Sequence, residues 1–436
     1  MTFCKTIVSP MTGNKLYLSK YGCYFFYFVL LLFFSFFDTY ISIGGFTVKL
    51  FYLFAIPSLL HSLFIVLAKK VEHIDILVVL WICSSFLAFG HIISLSDMIT
   101  CVIGEIVLLL IFVDFQYFCQ KYSITHRQII RFLKICFALF GFIGIFQFLL
   151  YVILGVEFGI SHVSSLGFPR PRSVFLEPDW FGFYMMFGSL LFLLEIIKTK
   201  KANNIKDIAG FFICLVSLLL SMARAAWVGF GVSVIASFFV LNQKAKRRLV
   251  KLVICCIVFA LLVLLFMSAC NTRYFASFLR RLDFLSWSKN DGGAFDTRSY
   301  SISIMIQFIQ QHPFTGNGSG SMNYISSNSQ LLFSLGYYYE INAGRGNANL
   351  ILATLFDVGI IGFIPFLGIL LELLRKSFNL CKLEKKNVLY VFVFASFIGM
   401  LVDFQFNNGI RFASVWLLFG LINWLFNSRK RKRIHF

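Results

Sequence analysis

GRGNANLILATLFDVGIIGFIPFLGILLELL, residues 344–374, is where the one long polar segment of this chain runs into a membrane-length apolar stretch. Arg345, Asn347 and Asn349 lead into a run from Leu350 whose length suits a bilayer crossing, interrupted near its start by Asp357. Read backwards, the polar segment reaches Cys270. It opens CNTRYFASFLRRLDFLSW (270–287) and continues RSYSISIMIQFIQQHPFTGNGSG (298–320). Apolar sequence dominates on both sides. The expectation is an all-α polytopic membrane protein in three parts. Residues 1–269 hold transmembrane helices 1–9, residues 270–348 form a large extracytoplasmic loop between helices 9 and 10, and residues 349–436 hold helices 10–12 and a basic cytoplasmic tail.

Composition supports that reading. Of 436 residues, 59% are hydrophobic and only 13% charged, more apolar surface than a water-soluble core could bury. Runs of about 18 to 25 apolar residues, the length a bilayer requires, centre near residues 30, 57, 84, 108, 143, 187, 213, 233, 260, 362, 395 and 419. That makes about twelve spans. The first run, from Cys23, lacks a following small-residue cleavage site and is read as a retained helix. A net charge of +20 would suggest nucleic acid in a soluble protein. Here the charge lies at helix ends, where it orients the chain and meets anionic membrane lipid, so no nucleic-acid partner is expected. The 11 cysteines show no CxxC spacing and mostly lie within or beside apolar runs, which supports neither a disulfide framework nor a zinc site.

Basic residues separate the two faces. Alternate connections carry Lys5, Lys15 and Lys20; Lys69 and Lys70; Lys121 to Lys134; Lys198 to Lys206; Lys244 to Lys251; Arg375 to Lys386; and the tail RKRKR at 429–433. By the positive-inside rule that side is cytoplasmic, and so are both termini. The cytoplasmic set is mostly lysine. The other face carries Lys49 and Lys289 but otherwise arginine: Arg170, Arg172, Arg224, Arg273, Arg280, Arg281, Arg298, Arg345 and Arg411. Charge bias alone does not choose between the two residue types, whereas bidentate binding of phosphate oxygens favours the planar guanidinium. The external face thus reads as an anion-holding surface, with snorkelling to headgroups or pairing with loop carboxylates as the plainer alternative.

Several residues stand out on that face. GFPRPRSVFLEPDW (167–180) holds Arg170 and Arg172 in extended backbone, because each precedes or follows a proline. Glu177 and Asp179 follow at a helix start, where acids suit the dipole and could also serve as a general base, or as an acid that orients the base, facing the arginines. Arg224 sits in SMARAAWVGFG, a turn too short to carry it far from the membrane surface, flanked by Ser221, Ala223, Ala225, Ala226 and Gly229, which permit close helix approach. In the large loop, Phe275, Phe278, Leu279, Leu282 and Leu285 fall at helical spacing beside Arg280 and Arg281, as in a helix lying on the membrane. A second such helix runs from Arg298 through Ile302, Met305, Ile306 and Ile309 to His312-Pro313. FTGNGSGS (314–321) then offers either a flexible turn or backbone N–H groups for a phosphate. Asp357 could position a catalytic group or simply pair with Arg224 or Arg298, and Gly359, Gly362 and Pro365 permit a kink. Glu105 lies within a span with no evident basic partner, and Asp403 and Arg411 flank one short turn as a possible local pair.

The succession SMARAAW, large loop, RSYSISIMIQFIQQHPFTGNGSG and NLILATLFDVGIIG resembles the O-antigen polymerase and ligase superfamily of bacterial surface-polysaccharide assembly, over Arg224 to Gly362. The resemblance implies a multi-pass protein of the bacterial inner membrane, with a twelve-helix fold and an active site on the extracytoplasmic side. It implies a glycosyltransferase acting on undecaprenyl-pyrophosphate-linked oligosaccharide, with no cofactor, metal or nucleotide sugar, alongside a flippase and a chain-length regulator of the same pathway. Arg224 and Arg298 match arginines of the family's turn and loop helix. With Glu177 and Asp179 they form the candidate catalytic set; Arg170, Arg172, Arg280, Arg281, Arg345, Asn349 and Asp357 are the candidate substrate-binding set. Ligases commonly carry a histidine just before the asparagine matching Asn349; this chain has Ala348 there, which favours a polymerase of lipid-linked repeat units over a ligase. A transporter of lipid-linked saccharide is the reading from another class.

Overall fold

Helices make up nearly all of the structure, as the apolar runs require. The computed structural model describes residues 71–162, 168–198, 205–269, 294–328, 349–384 and 387–434, with the short pieces 33, 40–43, 46–49, 51 and 330. The expected spans near residues 30 and 57 lie outside the described residues, as do the loop positions Arg280, Arg281 and Arg345. The other ten centres fall on helices: α1 (His73–Ser84, continued by a 3-10 turn Ser85–Ala88), α2 (Leu95–Lys121), α3 (His126–Leu154), α4 (Pro178–Lys198), α5 (Ile205–Leu220), α6 (Arg224–Val240), α7 (Gln243–Ala269), α10 (Leu350–Leu383), α11 (Val388–Asp403) and α12 (Ala413–Ile434). Between α7 and α10 lie α8 (Ala294–Gln311) and the short α9 (Ser321–Ser327). Among the described residues, α2, α3, α4 and α10 are long and apolar enough to cross a membrane, and α1 with its 3-10 turn, α6 and α11 are shorter apolar helices.

Two antiparallel strand pairs were not anticipated. Strands β1 (Tyr40–Ile43) and β2 (Phe46–Lys49) pair with Tyr40 opposite Lys49, and β3 (Ile160–His162) and β4 (Pro169–Pro171) pair with Ser161 opposite Arg170. The second pair matters, because it fixes the extended Pro-Arg backbone read in the sequence.

Local chemistry sets the helix ends. Thr125 and Gln128 form a capping box at α3, which stops on Gly155 with φ +70°. The Asn349 side chain accepts the Leu352 N–H at 2.9 Å and starts α10. In the bundle, α4 and α11 are buried on nearly every face and form the centre, with α6 against both. Gly229 of α6 allows that approach: a Cβ there would meet Met186 of α4 and the Gly399 carbonyl of α11. Around this centre α5 packs on α3 and α4, α2 on α12, α1 on α10, and α8 on α10.

Helix alternation gathers the basic residues at two ends. At the lysine-rich end, Lys134 pairs with Asp207, and Lys198 donates to the Asn387 carbonyl at 2.8 Å. Arg248 donates to the Ile197 carbonyl at 3.1 Å, and Lys376 of α10 donates to Asn423 Oδ1 of α12 at 2.6 Å. These contacts tie neighbouring helices together. The opposite end carries Arg170, Arg172, Arg224 and Arg411, and is the arginine end.

Helix α10 is broken at Gly359, whose φ of +62° and ψ of −171° suit glycine alone. The glycine-rich segment before α9 fills the break. Asn317 and Gly318 donate their backbone N–H groups to the Phe356 and Asp357 carbonyls at 2.8 and 2.9 Å, while Ile360 and Ile361 donate to the Pro313 and Phe314 carbonyls at 2.9 and 3.2 Å. Backbone groups freed inside an apolar bundle need such partners, since unsatisfied ones are costly there. Residues 316–320 are buried, and Gly316, Gly318 and Gly320 all have positive φ. The segment is therefore a built plug. Its N–H groups on Asn317 and Gly318 serve helix carbonyls, which replaces the expectation of a flexible turn or phosphate cradle.

Candidate functional site

Two sequence candidates, Arg170 and Asp179, meet where β4, α4 and the α5–α6 turn that leads to Arg224 converge. Extended backbone at Arg170 aims its guanidinium across the bundle. Its Nη2 pairs with Asp179 Oδ1 at 2.6 Å, and its Nε donates to the Ser221 carbonyl at 2.7 Å. Both side chains are largely withdrawn from solvent, at 11% and 26% exposure, so the pair is shielded better than an open surface bridge. Ser221 begins the turn that ends at Arg224, the first residue of α6. Met222 takes a positive φ of +55° to make that turn. Gly182, one turn into α4, lets the helix press on the Ser221, Ala223 and Ala226 side chains, three of the small residues read in the sequence. An arginine at a helix start opposes the dipole, so helix formation does not account for Arg224.

The remaining candidates spread around this point. Glu177 is half-buried immediately before α4 and accepts the Phe181 N–H on its carbonyl at 3.2 Å. Arg172 is exposed, and its Nη1 reaches the Leu176 carbonyl at 3.4 Å. Asn349 caps α10 and donates through Nδ2 to the Gln405 carbonyl at 3.4 Å. Arg298 lies on α8, which starts four residues earlier than the sequence suggested and stops at Gln311, immediately before His312-Pro313.

A second cluster was missed. Arg411 donates through Nη2 to Asp357 Oδ2 at 2.7 Å, and through Nη2 and Nε to Glu105 Oε1 at 2.9 and 3.1 Å. Glu105 is fully buried and Asp357 is 7% exposed, while Arg411 is 25% exposed. Burial works against the Arg411 charge, but the carboxylates of Asp357 and Glu105 more than offset it and raise its pKa, so it stays a cation. Asp357 therefore pairs with Arg411 rather than with Arg224, Glu105 has a basic partner, and Arg411 reaches these two rather than Asp403. In the sequence Arg411 was legible only as an arginine outside the lysine-rich set and as a possible local partner of Asp403. The two clusters are neighbours, since Trp180, beside Asp179, meets Phe412, beside Arg411, edge to face at 4.3 Å.

Two histidines also meet here. His91 and His312 stack at 3.8 Å, and His91 Nε2 lies 2.8 Å from the Gly316 carbonyl and 3.1 Å from Thr315 Oγ1. Partial burial, with a smaller contribution from His91, lowers the His312 pKa.

The arrangement offers fixed guanidinium groups beside carboxylates at one end of an apolar bundle, a layout able to neutralise an anionic group and orient a hydroxyl. Comparison with curated proteins gives no match. Residues 209–367 match the family model described as O-antigen ligase. The matched span runs from α5 to the middle of α10 and includes Arg224, Arg298, Asn349 and Asp357, while Arg170, Asp179, Glu105 and Arg411 fall outside it. The match supports, for this chain, the O-antigen polymerase and ligase superfamily of membrane glycosyltransferase-like enzymes.

Proposed function

We propose that this protein polymerises undecaprenyl-pyrophosphate-linked oligosaccharide repeat units into O-antigen or a related surface polysaccharide, at the extracytoplasmic face of a bacterial inner membrane. The observation carrying the reading is the convergence of Arg170, Asp179 and the Arg224 turn at the arginine end, within a chain whose residues 209–367 match the O-antigen ligase model. A hydroxyl of one lipid-linked unit attacks the anomeric carbon of the chain held on another carrier. The bond from that carbon to the pyrophosphate oxygen breaks, and the carrier pyrophosphate leaves. Arg224 and Arg298 neutralise charge developing on the leaving group, a role worth several kcal/mol in a dry site. Arg172, and Arg280, Arg281 and Arg345 of the large loop, hold the pyrophosphate, with Asn349 at the start of α10. Glu177 or Asp179 orients the acceptor hydroxyl and takes its proton. Both termini are cytoplasmic, about twelve helices cross the bilayer, and a flippase and chain-length regulator work alongside.

Ligation of finished glycan to a lipid core or protein is the second reading, favoured by the description of the matching family. Ala348, where ligases commonly place histidine, supports the polymerase. Glycan profiles of cells lacking the protein test the assignment. Acceptors capped by a single unit support polymerisation. Polymer retained on its carrier with no capping would mean a ligase, and lipid-linked units left facing the cytosol would mean a transporter.

A further inference from the structure

The Glu105–Arg411–Asp357 cluster has geometry suited to holding other parts in place. Arg411 belongs to the short α11–α12 connection, yet its guanidinium reaches α2 through Glu105 and α10 through Asp357. Two carboxylates already occupy this cation, which makes it a poor ligand for a substrate anion. Asp357 lies two residues before the break at Gly359, so its position decides where the first segment of α10 ends. Its backbone carbonyl accepts the Gly318 N–H at 2.9 Å. The plug segment runs directly back through Pro313 to the end of α8, the helix that carries Arg298.

We infer that Arg411 is a positioning residue: by clasping Asp357 it seats the plug of residues 313–320 in the α10 break and so sets the position of α8 and Arg298. The inference rests on the polymerase reading only for the role of Arg298; the clasp itself does not. Asp357 accordingly moves from the substrate-binding set to the positioning set. Glu105 has a different task. It anchors the far side of the guanidinium on α2, and the Arg411–Asp357 contact remains available without it.

Hydrogen–deuterium exchange on the full-length protein in detergent tests the clasp through the 313–321 segment, whose N–H groups on Asn317 and Gly318 bond into the break. Arg411→Gln and Asp357→Asn should each speed exchange of that segment about tenfold while leaving the centre of α4 unchanged. Glu105→Gln should stay within about twofold of the parent. Parent-like exchange in both Arg411→Gln and Asp357→Asn would overturn the inference. So would equal acceleration in Glu105→Gln and Asp357→Asn, which would mean general loosening of the bundle. If Arg411→Gln does not accumulate, the comparison of Asp357→Asn with Glu105→Gln decides, since each leaves one carboxylate on the guanidinium. Polymer synthesis from purified lipid-linked repeat units gives the second readout. Arg411→Gln, or Asp357→Asn in its place, should lower kcat about tenfold with KM within twofold. A raised KM with unchanged kcat would assign Arg411 to direct substrate binding and end its positioning role. Absence of polymer with the parent protein would count against the polymerase reading alone, with exchange still deciding the clasp.

Discussion

At the scale of single residues, the Arg170–Asp179 pair shows what a carboxylate at a helix start can do beyond helping the dipole. A charge-assisted bond at 2.6 Å fixes the guanidinium that also holds the Ser221 carbonyl. Asp179→Asn keeps the shape and removes the charge, so polymer synthesis at matched protein levels should fall about tenfold, about 1.4 kcal/mol. Arg298→Lys should abolish polymer although charge is retained, because lysine lacks the bidentate fork; unchanged polymer length would reduce Arg298 to a lipid anchor. The histidines give a contrasting expectation. His162→Ala and His312→Ala, singly and together, should retain polymer formation, and loss in either would reopen an imidazole-dependent mechanism. The His91–His312 stack should be felt in stability instead. His312 titrates lower in the folded protein than in the unfolded chain, so the unfolded chain binds the proton more readily. The stack's contribution is complete above about pH 6.5, the ordinary imidazole value, and declines as pH falls through the lower folded value. Melting in detergent at pH 7.5 and pH 5.5 should show a steeper acid loss for the parent than for His312→Ala; equal slopes would remove the stack from the account.

At the scale of elements, α10 carries the argument. Its apolar run, its glycines and its proline predict a span with a kink, and the kink falls at Gly359 rather than Pro365. The reason is the partner: the plug supplies carbonyls and N–H groups at Gly359, and a Cβ there would collide with the Phe314 backbone. Gly359→Ala combines that collision with a backbone conformation closed to L-residues and should destabilise the folded protein by about 3 kcal/mol or more. Gly368→Ala is the control on the same helix, since its Cβ would meet only the Leu77 side chain at 3.3–3.4 Å. Thermal melting of both variants should separate them clearly, and equal stability would show that the break does not depend on glycine.

At the scale of the whole molecule, the separation of lysine from arginine becomes a separation of tasks. Lysines at one end join neighbouring helices through Asp207, Asn423 and the Asn387 carbonyl. At the other end Arg170 and Arg411 each anchor one of the two clusters. Orientation in the membrane is tested by cysteine accessibility in intact cells. Gly318 is a poor reporter position, being buried with a φ of +86°. Phe314, 62% exposed on the plug, is the better one. Phe314→Cys should react with an impermeant reagent and Lys246→Cys should not; the reverse pattern would place the arginine end in the cytoplasm.

Periodicity, length and charge in the sequence determined the helical membrane class, the positions of the described helices other than the short α9, and the separation of the two ends. Those properties are local, since each apolar run and each terminal charge acts through its own solvent. The candidates at Arg170, Asp179 and Arg224 stood out for the same reason, each lying in or at the edge of a polar connection between apolar runs. Only the tertiary structure decided which charges meet. Glu105 and Arg411 lie 306 positions apart and Asp357 and Arg411 lie 54 apart, distances across which neither pattern nor propensity carries information. The plug was hidden likewise: three glycines at alternate positions permit a flexible turn, a phosphate cradle or a filled helix break. Free backbone groups inside an apolar bundle must find partners, and that requirement, met across the chain by α10, selected the third.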